Sequence, residues 1–239
     1  MGTEYRIALA GNPNTGKSTL FNALTGLRQH TGNWAGKTVS MAQGSVEFKD
    51  KTFHLIDLPG TYSLFSNSTD EEVARNYIVF EKPDVTIVVL DATSLERNFN
   101  LALQVLEMTT NVIICINLID VAEEQGIHIN ERILTNRLGV PVIKISARNK
   151  TGFPMLLDTI DRIITGAIEC HPVQVSYPAE IEDKIKKIEP KVREFVGNQL
   201  SARWVSLRLL DGDETLLNEI SNRLDAGGGI ENEYSKALC

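Results

Sequence analysis

The stretch Gly11-Asn12-Pro13-Asn14-Thr15-Gly16-Lys17-Ser18 matches the phosphate-loop pattern G-x-x-x-x-G-K-[ST]. An apolar run at residues 6–10 predicts a short buried strand before it, and residues 19–24 repeat apolar side chains at helical spacing after it. In this context the pattern holds phosphates, because loop N–H groups and a helix N-terminus face the anion. A glycine-rich turn that binds nothing is the alternative, and the complete pattern in this context favours a nucleotide-binding protein.

Individual positions of this loop have separate expected roles. Gly11 and Gly16 allow the backbone to curl, so that successive N–H groups point inward. We expect Lys17 to reach the β- and γ-phosphates and Ser18 to offer its hydroxyl to Mg²⁺. The residues expected to contact the nucleotide here are Gly11, Asn12, Pro13, Asn14, Thr15, Gly16, Lys17, Ser18 and Thr19.

The composition is that of a folded chain, with 42% apolar and 23% charged residues among 239. The net charge of −7 leaves no basic surplus to neutralise nucleic-acid phosphates, which argues against a general nucleic-acid binder. The three cysteines and four histidines lack the spacing of metal ligands, so we expect neither structural zinc nor haem. No apolar run approaches the ~20 residues that span a bilayer, and the N-terminus lacks the pattern of a secretory signal.

Short apolar runs alternate with helix-like segments along most of the chain. Their nearly continuous apolar character is typical of parallel strands buried on both faces, whereas residues 42–48 and 52–56 predict a hairpin with one antiparallel edge strand. The predicted strands are residues 6–10, 42–48, 52–56, 85–90, 112–116 and 142–145. The predicted helices are residues 17–26, 70–80, 97–109, 130–138 and 154–168. We therefore predict an α/β domain whose mostly parallel six-stranded sheet has helices on both faces.

The pattern changes after residue 168, where two X-Pro pairs and polar residues mark a linker. Beyond it, three segments are helical by period and no further strand pattern follows. These segments are residues 179–200, 201–210 and 214–226. The sequence thus predicts two domains, an α/β domain over 1–170 and a small all-helical module over 171–239.

Asp57-Leu58-Pro59-Gly60 follows the predicted strand at 52–56. A carboxylate there can hold the water shell of Mg²⁺, and the Gly60 N–H can meet a γ-phosphate. Alone, Asp-x-x-Gly is a common turn. Its position at a strand end after a phosphate loop favours the functional interpretation.

Asn117-Leu118-Ile119-Asp120 follows another predicted strand. The Asp120 carboxylate can accept hydrogen bonds from guanine N1–H and the 2-amino group, and adenine lacks both donors. The usual motif is Asn-Lys-x-Asp, and Leu118 stands in place of the lysine. Leucine keeps an apolar cover over the base and loses the tie to the phosphate loop. We therefore expect specific but weak guanine binding with fast release.

Two further elements complete the order of motifs. Ser146, Ala147 and Arg148 match the short loop whose backbone N–H meets guanine O6. Thr38 lies where a first switch offers a hydroxyl to Mg²⁺ and closes on the γ-phosphate, and a plain loop threonine is the alternative. Five motifs in uninterrupted order are typical of a Ras-like P-loop G domain.

Several stretches are more specific and closely resemble the FeoB family of bacterial ferrous-iron transporters. The resemblance lies in Gly11–Asn14, in Gly32–Gly36, in Asp57–Leu64, in Asp91–Asn98 and in Ala202–Leu210, and it covers essentially the whole chain. Members of the family have a cytosolic G domain, a helical module likened to a nucleotide-dissociation inhibitor, and a membrane permease. The resemblance thus implies a soluble fragment from the cytoplasmic face of the inner membrane. Its implied partners are guanine nucleotide, the permease domain and small cytosolic accessory proteins, and no nucleic acid.

The resemblance also implies a potassium-activated GTPase that uses GTP, Mg²⁺ and K⁺. Asn14 is similar to the asparagine that binds K⁺ in such proteins, where backbone carbonyls, here of Gly32 and Trp34, complete the site. A cation there stabilises charge that develops on the phosphates. For Trp34, packing onto a neighbouring surface is the alternative. Thr61 stands where many small GTPases have a water-orienting glutamine, and it is too short for that role. The implied catalytic residues are Asn14, Lys17, Thr38 and Gly60.

Three functional hypotheses follow. The first is a GTPase that gates or regulates ferrous-iron import. The second is a nucleotide-dependent binding switch with little intrinsic hydrolysis. The third is a ribosome- or tRNA-associated GTPase, which shares the Pro-Asn-x-Gly-Lys loop but usually carries a basic appendage that this acidic chain lacks.

Overall fold

A central sheet orders the first part of the chain. The computed structural model describes residues 3–26, 29–33, 40–65 and 68–225. The strands are β1 (Thr3–Gly11), β2 (Gln29–Asn33), β3 (Ser40–Phe48), β4 (Lys51–Asp57), β5 (Val85–Asp91), β6 (Val112–Asn117) and β7 (Val142–Lys144). They lie in the order β2-β3-β4-β1-β5-β6-β7. β3 pairs antiparallel with β2 and β4, and the other neighbours are parallel.

The predicted α/β fold class is confirmed, and every predicted strand is present. The sheet also contains β2, which the sequence did not predict, so that β3 lies inside the sheet and not at its edge. The β2 sequence Gln-His-Thr-Gly-Asn has no apolar run, because an edge strand with one partner needs no apolar character on both faces. Hydrophobic periodicity therefore gives no indication of it.

Helices cover both faces of the sheet. They are α1 (Lys17–Thr25), α2 (Thr69–Asn76), α3 (Leu95–Met108), α4 (Ile119–Glu124), α5 (Glu131–Leu138) and α6 (Phe153–Ile164). A π-helical turn, Tyr77–Glu81, continues α2, so the predicted helix 70–80 comprises two segments. The short α4 was not predicted, because six residues are too few to show a helical period.

Two hydrophobic cores separate the helices from the sheet. On one face, α1 and α6 pack against β1 and β5 through residues such as Phe21 and Ile160. On the other, α2 and α3 contribute Val73, Leu101 and Val105. The central strands are buried on both sides, which explains their continuous apolar sequences. The carboxyl ends of the parallel strands consequently meet at one edge of the sheet, where the predicted motifs begin.

The chain divides into two units between Gln174 and Val175, slightly after the division predicted at residue 170. The second unit contains α7 (Ala179–Val196), α8 (Ala202–Asp211) and α9 (Glu214–Asp225). Among the described residues, none of the helices combines the length and the apolar character required to cross a membrane.

A bidentate ion pair connects α7 to α8 in the second unit. Arg203 donates from Nη1 and Nη2 to the two carboxylate oxygens of Glu182, at 2.9 and 2.7 Å, and from Nη2 to the Val175 carbonyl at 3.0 Å. The Tyr177 N–H donates to Glu182 at 2.9 Å. The Arg203 hydrogen bonds, with the Tyr177 N–H as a smaller cause, lower the pKa of Glu182 to about 2. Trp204, beside Arg203, is buried and can report on this unit.

We expect Glu182→Gln to lower the free energy of unfolding of the second unit near neutral pH. The difference from wild type should become smaller in acid. The stabilisation from ionised Glu182 is fully present above pH 4.5, the ordinary pKa of a glutamate, and is lost as the pH falls toward the lowered pKa of about 2. Urea unfolding can be followed by Trp204 fluorescence in a Trp34→Phe background, because the chain has two tryptophans. Midpoints are compared at about pH 7 and about pH 3.5.

Glu180→Gln is the matched control. Glu180 lies on the same helix, its side chain is 82% exposed, and it pairs only with Lys184 among the ion pairs of the described residues. We expect this variant to unfold close to wild type at both pH values. If Glu182→Gln lowered the unfolding midpoint by the same amount at both pH values, the ionised form of Glu182 would not be the source of the stabilisation.

Candidate functional site

The phosphate loop connects β1 to α1, and two of its positions accept glycine only. A Cβ atom on Gly11 would lie 2.7 Å from the Val89 carbonyl oxygen. A Cβ atom on Gly16 would lie 2.3 Å from Asn117 Nδ2, and Gly16 has a left-handed φ of 79°. Close approach to β5 and to the end of β6 thus explains both glycines. The sequence attributed them to the curl of the loop, and the structure adds these two contacts.

The loop encloses a cavity of about 280 Å³ at the carboxyl edge of the sheet. Its lining residues are Asn12, Pro13, Asn14, Gly16, Lys17, Ser18, Thr19 and Gly60. The Thr15 hydroxyl donates to the Asn12 carbonyl at 3.0 Å and closes the turn. Asn14 is solvent-exposed and has a left-handed φ of 67°, a conformation that asparagine tolerates better than most residues.

Lys17 and Ser18, which line this cavity, form a compact cluster with Asp57. The Lys17 ammonium donates to Asp57 Oδ1 and to the Leu58 carbonyl. The Ser18 hydroxyl donates to Asp57 Oδ2 at 3.0 Å. The Lys17 and Asp57 side chains are 8% and 10% exposed, so the pair is largely desolvated. These three groups, which the sequence assigned to phosphates and Mg²⁺, therefore lie together. The lysine and the hydroxyl both donate to the carboxylate.

Gly60 faces the loop across the cavity, and a Cβ atom there would lie 3.5 Å from Pro13. The following residue, Thr61, is buried and its N–H donates to the Gly11 carbonyl at 3.3 Å. The Leu58 N–H donates to the Leu9 carbonyl at 3.0 Å. These backbone bonds connect the segment after β4 to the end of β1, where the phosphate loop begins.

Asn117, at the end of β6, joins the two halves of the site. Its side chain is fully buried. Asn117 Nδ2 donates to the Thr15 carbonyl at 2.9 Å, and its Oδ1 accepts from the Ala147 N–H at 2.9 Å. One carboxamide thus fixes the phosphate loop against the Ser146-Ala147 segment. The sequence assigned Asn117 to the nucleotide, and the structure gives it this bridging position between loops.

Asp120 lies in the first turn of α4. This helix begins directly after Leu118, which has a left-handed φ of 61°. Asn149 Nδ2 donates to Asp120 Oδ2 at 3.1 Å. Asp120 Oδ1 is buried and has no hydrogen-bond partner within the part of the chain that the structure describes. Sequence reasoning missed Asn149, because no motif distinguishes an asparagine in a polar loop.

The remaining predicted residues occupy different environments. Ser146 and Ala147 are buried, whereas Arg148 is exposed. Gly32 lies in β2, opposite Met41 of β3. Thr38 and Trp34 lie outside the described residues.

Comparisons with known proteins assign both units of the chain to one family. Residues 5–160 match the family model of ferrous iron transport protein B, and residues 177–237 match that of the FeoB cytosolic helical domain. The Fe(2+) transporter FeoB of Escherichia coli K12 is 40% identical over 231 residues, covering 93% of this chain and 29% of that protein. A fusion of Fe(2+) transport protein A with the Fe(2+) transporter FeoB from Porphyromonas gingivalis is 36% identical. The alignment covers 90% of this chain and 26% of that protein.

Solved structures agree with this assignment. The cytosolic domain of the T. maritima FeoB iron transporter, in a GDP form, aligns with a TM-score of 0.84 and 34% identity and covers 98% of this chain and 89% of that one. Its GMPPNP form aligns with a TM-score of 0.82, 34% identity and 97% and 89% coverage. With the fold, the motif order and both domain matches in agreement, the chain belongs to the FeoB family of ferrous iron transport proteins.

Proposed function

We propose that this chain binds and hydrolyses GTP as the cytosolic part of a ferrous-iron transporter, where it gates or regulates Fe(II) uptake. The observation that carries the proposal is the bridge formed by Asn117. It holds a phosphate-binding loop and a predicted base-binding loop at one sheet edge. A nucleotide needs both at a fixed separation. The related T. maritima structures contain GDP and GMPPNP, which supports the same assignment.

At the phosphate end, we assign the nine loop residues Gly11–Thr19 to the α-, β- and γ-phosphates. Loop N–H groups and the N-terminus of α1 supply positive potential there. Lys17 exchanges its internal partners, Asp57 and Leu58, for phosphate oxygens. Ser18 and Asp57 offer hard oxygen donors 3.0 Å apart, which suit Mg²⁺, with Thr38 as the proposed ligand from the first switch. When bound, Mg²⁺ neutralises phosphate charge.

At the base end, Asp120 confers guanine specificity, and a backbone N–H of the loop Ser146-Ala147-Arg148 donates to guanine O6. Adenine has neither the N1–H nor the 2-amino donor, so the buried oxygen Asp120 Oδ1 would stay without a partner, which is costly. Leu118 replaces the lysine that ties the base to the phosphate loop in other G domains. Binding is therefore specific, weak and rapidly reversible.

For hydrolysis, water attacks the γ-phosphorus and GDP leaves as charge develops on the phosphate oxygens. The Gly60 N–H, Lys17 and the loop N–H groups stabilise that charge. Asn14 faces the cavity, and we propose its side-chain oxygen as a K⁺ ligand together with the carbonyls of Gly32 and Trp34. Bound K⁺ supplies the positive charge that an arginine finger provides elsewhere.

A nucleotide-dependent binding switch is the second candidate, and Thr61 is the observation that favours it. Thr61 is buried and is too short to orient the attacking water. Hydrolysis would then only reset a contact with another domain, and turnover by the chain alone would be very slow.

The chain spans 29% of the length of the E. coli relative, so the activity of a whole transporter is a further proposal. We propose that the remaining part is a membrane permease, which places this chain at the cytoplasmic face of the inner membrane. Small cytosolic proteins of the iron-uptake system are proposed as additional partners.

Asp120→Asn tests the base assignment. The asparagine NH₂ then faces the guanine 2-amino group, so two donors oppose each other, whereas xanthine has a carbonyl acceptor at position 2. We therefore expect GDP affinity to fall at least about a hundredfold and xanthosine diphosphate to bind. Both affinities can be measured by calorimetry. Glu123→Gln is the control, because Glu123 is exposed on the same helix. Retained GDP affinity in Asp120→Asn would refute the assignment.

Leu118→Lys tests the proposed cause of fast release. Lysine restores the tie to the phosphate loop, so we expect GDP to dissociate roughly tenfold more slowly in stopped-flow fluorescence. Leu118→Met is the control, since it retains only the apolar cover. Release from the wild-type chain over minutes would count against the proposal.

Turnover in KCl against NaCl at matched ionic strength tests the cation site. We expect potassium to stimulate wild-type GTP hydrolysis and to have no effect on Asn14→Ala and Asn14→Gly. The glycine variant removes the carboxamide without strain at the left-handed φ of 67°. Full potassium stimulation in Asn14→Ala would falsify the site. Equal, slow wild-type rates in both salts would favour the binding switch.

A further inference from the structure

We propose that Asn149 competes with the guanine base for Asp120 and thereby weakens nucleotide binding. The inference rests on the proposed function and adds a specificity-determining residue that no motif identifies. It is carried by the hydrogen bond from Asn149 Nδ2 to Asp120 Oδ2, at 3.1 Å. The side-chain amide of Asn149 donates through a planar NH₂ group. The 2-amino group of guanine is a donor of the same kind, so the two can replace each other at Asp120.

The loop that carries Asn149 has a well-defined conformation. Ser146 and Thr151 exchange two backbone hydrogen bonds, of 3.2 and 3.1 Å, and the Ser146 hydroxyl accepts from the Asn149 N–H at 3.3 Å. Gly152 ends the loop with a left-handed φ of 82°, where a Cβ atom would lie 2.4 Å from the Lys144 carbonyl oxygen. The backbone of Asn149 is therefore held in place, and its amide is directed to Asp120 by the fold.

In this arrangement Asp120 does not present two free oxygens to guanine. Guanine recognition needs one oxygen for N1–H and the other for the 2-amino group. Asp120 Oδ2 already accepts from Asn149, and Oδ1 is buried without a partner among the described residues. Because Oδ1 is buried, the carboxylate must turn before the base can pair with both oxygens, and that turn exchanges the Asn149 bond for the bonds to guanine.

Breaking that contact is feasible, because Asn149 is exposed and its amide can be hydrated when it leaves. The same exchange operates in reverse. As the base departs, Asn149 returns to Asp120 and compensates the carboxylate for its lost donors. Asn149 therefore lowers affinity and accelerates release, independently of the missing lysine at Leu118.

Removal of the competing amide provides the test. We expect Asn149→Ala to bind GDP about three- to tenfold more tightly than wild type, the range for the net contribution of one ordinary intramolecular hydrogen bond. Thr151→Ala is the matched control in the same loop. Its side chain is exposed, and its backbone makes the bonds to Ser146, so we expect wild-type affinity.

Inosine diphosphate separates competition from a general loosening of the loop. Inosine lacks the 2-amino group and donates only N1–H, so it needs one Asp120 oxygen and can leave the other with Asn149. We expect Asn149→Ala to improve GDP binding more than inosine diphosphate binding, which raises the ratio of the two affinities about threefold or more. A loosened loop would change both affinities by the same factor.

Calorimetry with GDP and with inosine diphosphate on the wild-type and variant chains decides between these outcomes. Tighter GDP binding with a raised ratio supports competition. Unchanged or weaker GDP binding, or equal gains for both nucleotides, overturns it. Failure of the wild-type chain to bind GDP would instead refute the proposed function, so the two failures are distinguishable.

Discussion

The buried carboxamide of Asn117 is the contact on which the geometry of the candidate site depends. It satisfies the Thr15 carbonyl and the Ala147 N–H at once, at 2.9 Å each. Loss of either bond would leave a buried polar group without a partner, at a cost of about 1–3 kcal/mol. Gly16 is a consequence of the same contact, because any side chain there would collide with the Asn117 amide. The sheet provides the anchor, since Asn117 is the last residue of a strand buried on both faces.

Both ends of the site share a second property, which is that their functional groups bind partners within the protein. Lys17 and Ser18 donate to Asp57 at the phosphate end, and Asn149 donates to Asp120 at the base end. A ligand must exchange these bonds for its own, so the net gain per contact is smaller than the contact itself. A site built in this way favours rapid exchange over tight retention.

The sequence predicted the features that depend on local pattern. The phosphate loop, the six predicted strands and the positions of Asp57, Asn117 and Asp120 follow from spacing and local pattern, and the fold class is confirmed. The polar edge strand β2 and the short α4 escaped prediction, because neither has enough residues or enough apolar contrast to show a period. The bond from Asn149 to Asp120 escaped as well, since it joins residues 29 apart through a loop geometry that no spacing encodes. The roles of individual site residues remain predictions.

Hydrogen exchange at Ala147 tests the central claim most directly, because its N–H donates to Asn117 Oδ1. The account predicts slow exchange at Ala147 in the wild-type chain. It also predicts that added GDP protects Ala147 and the phosphate-loop amides together, because Asn117 holds the two segments side by side in one site. Exchange at Ala147 as fast as in an unstructured loop, or protection by GDP at only one of the two segments, would contradict the account.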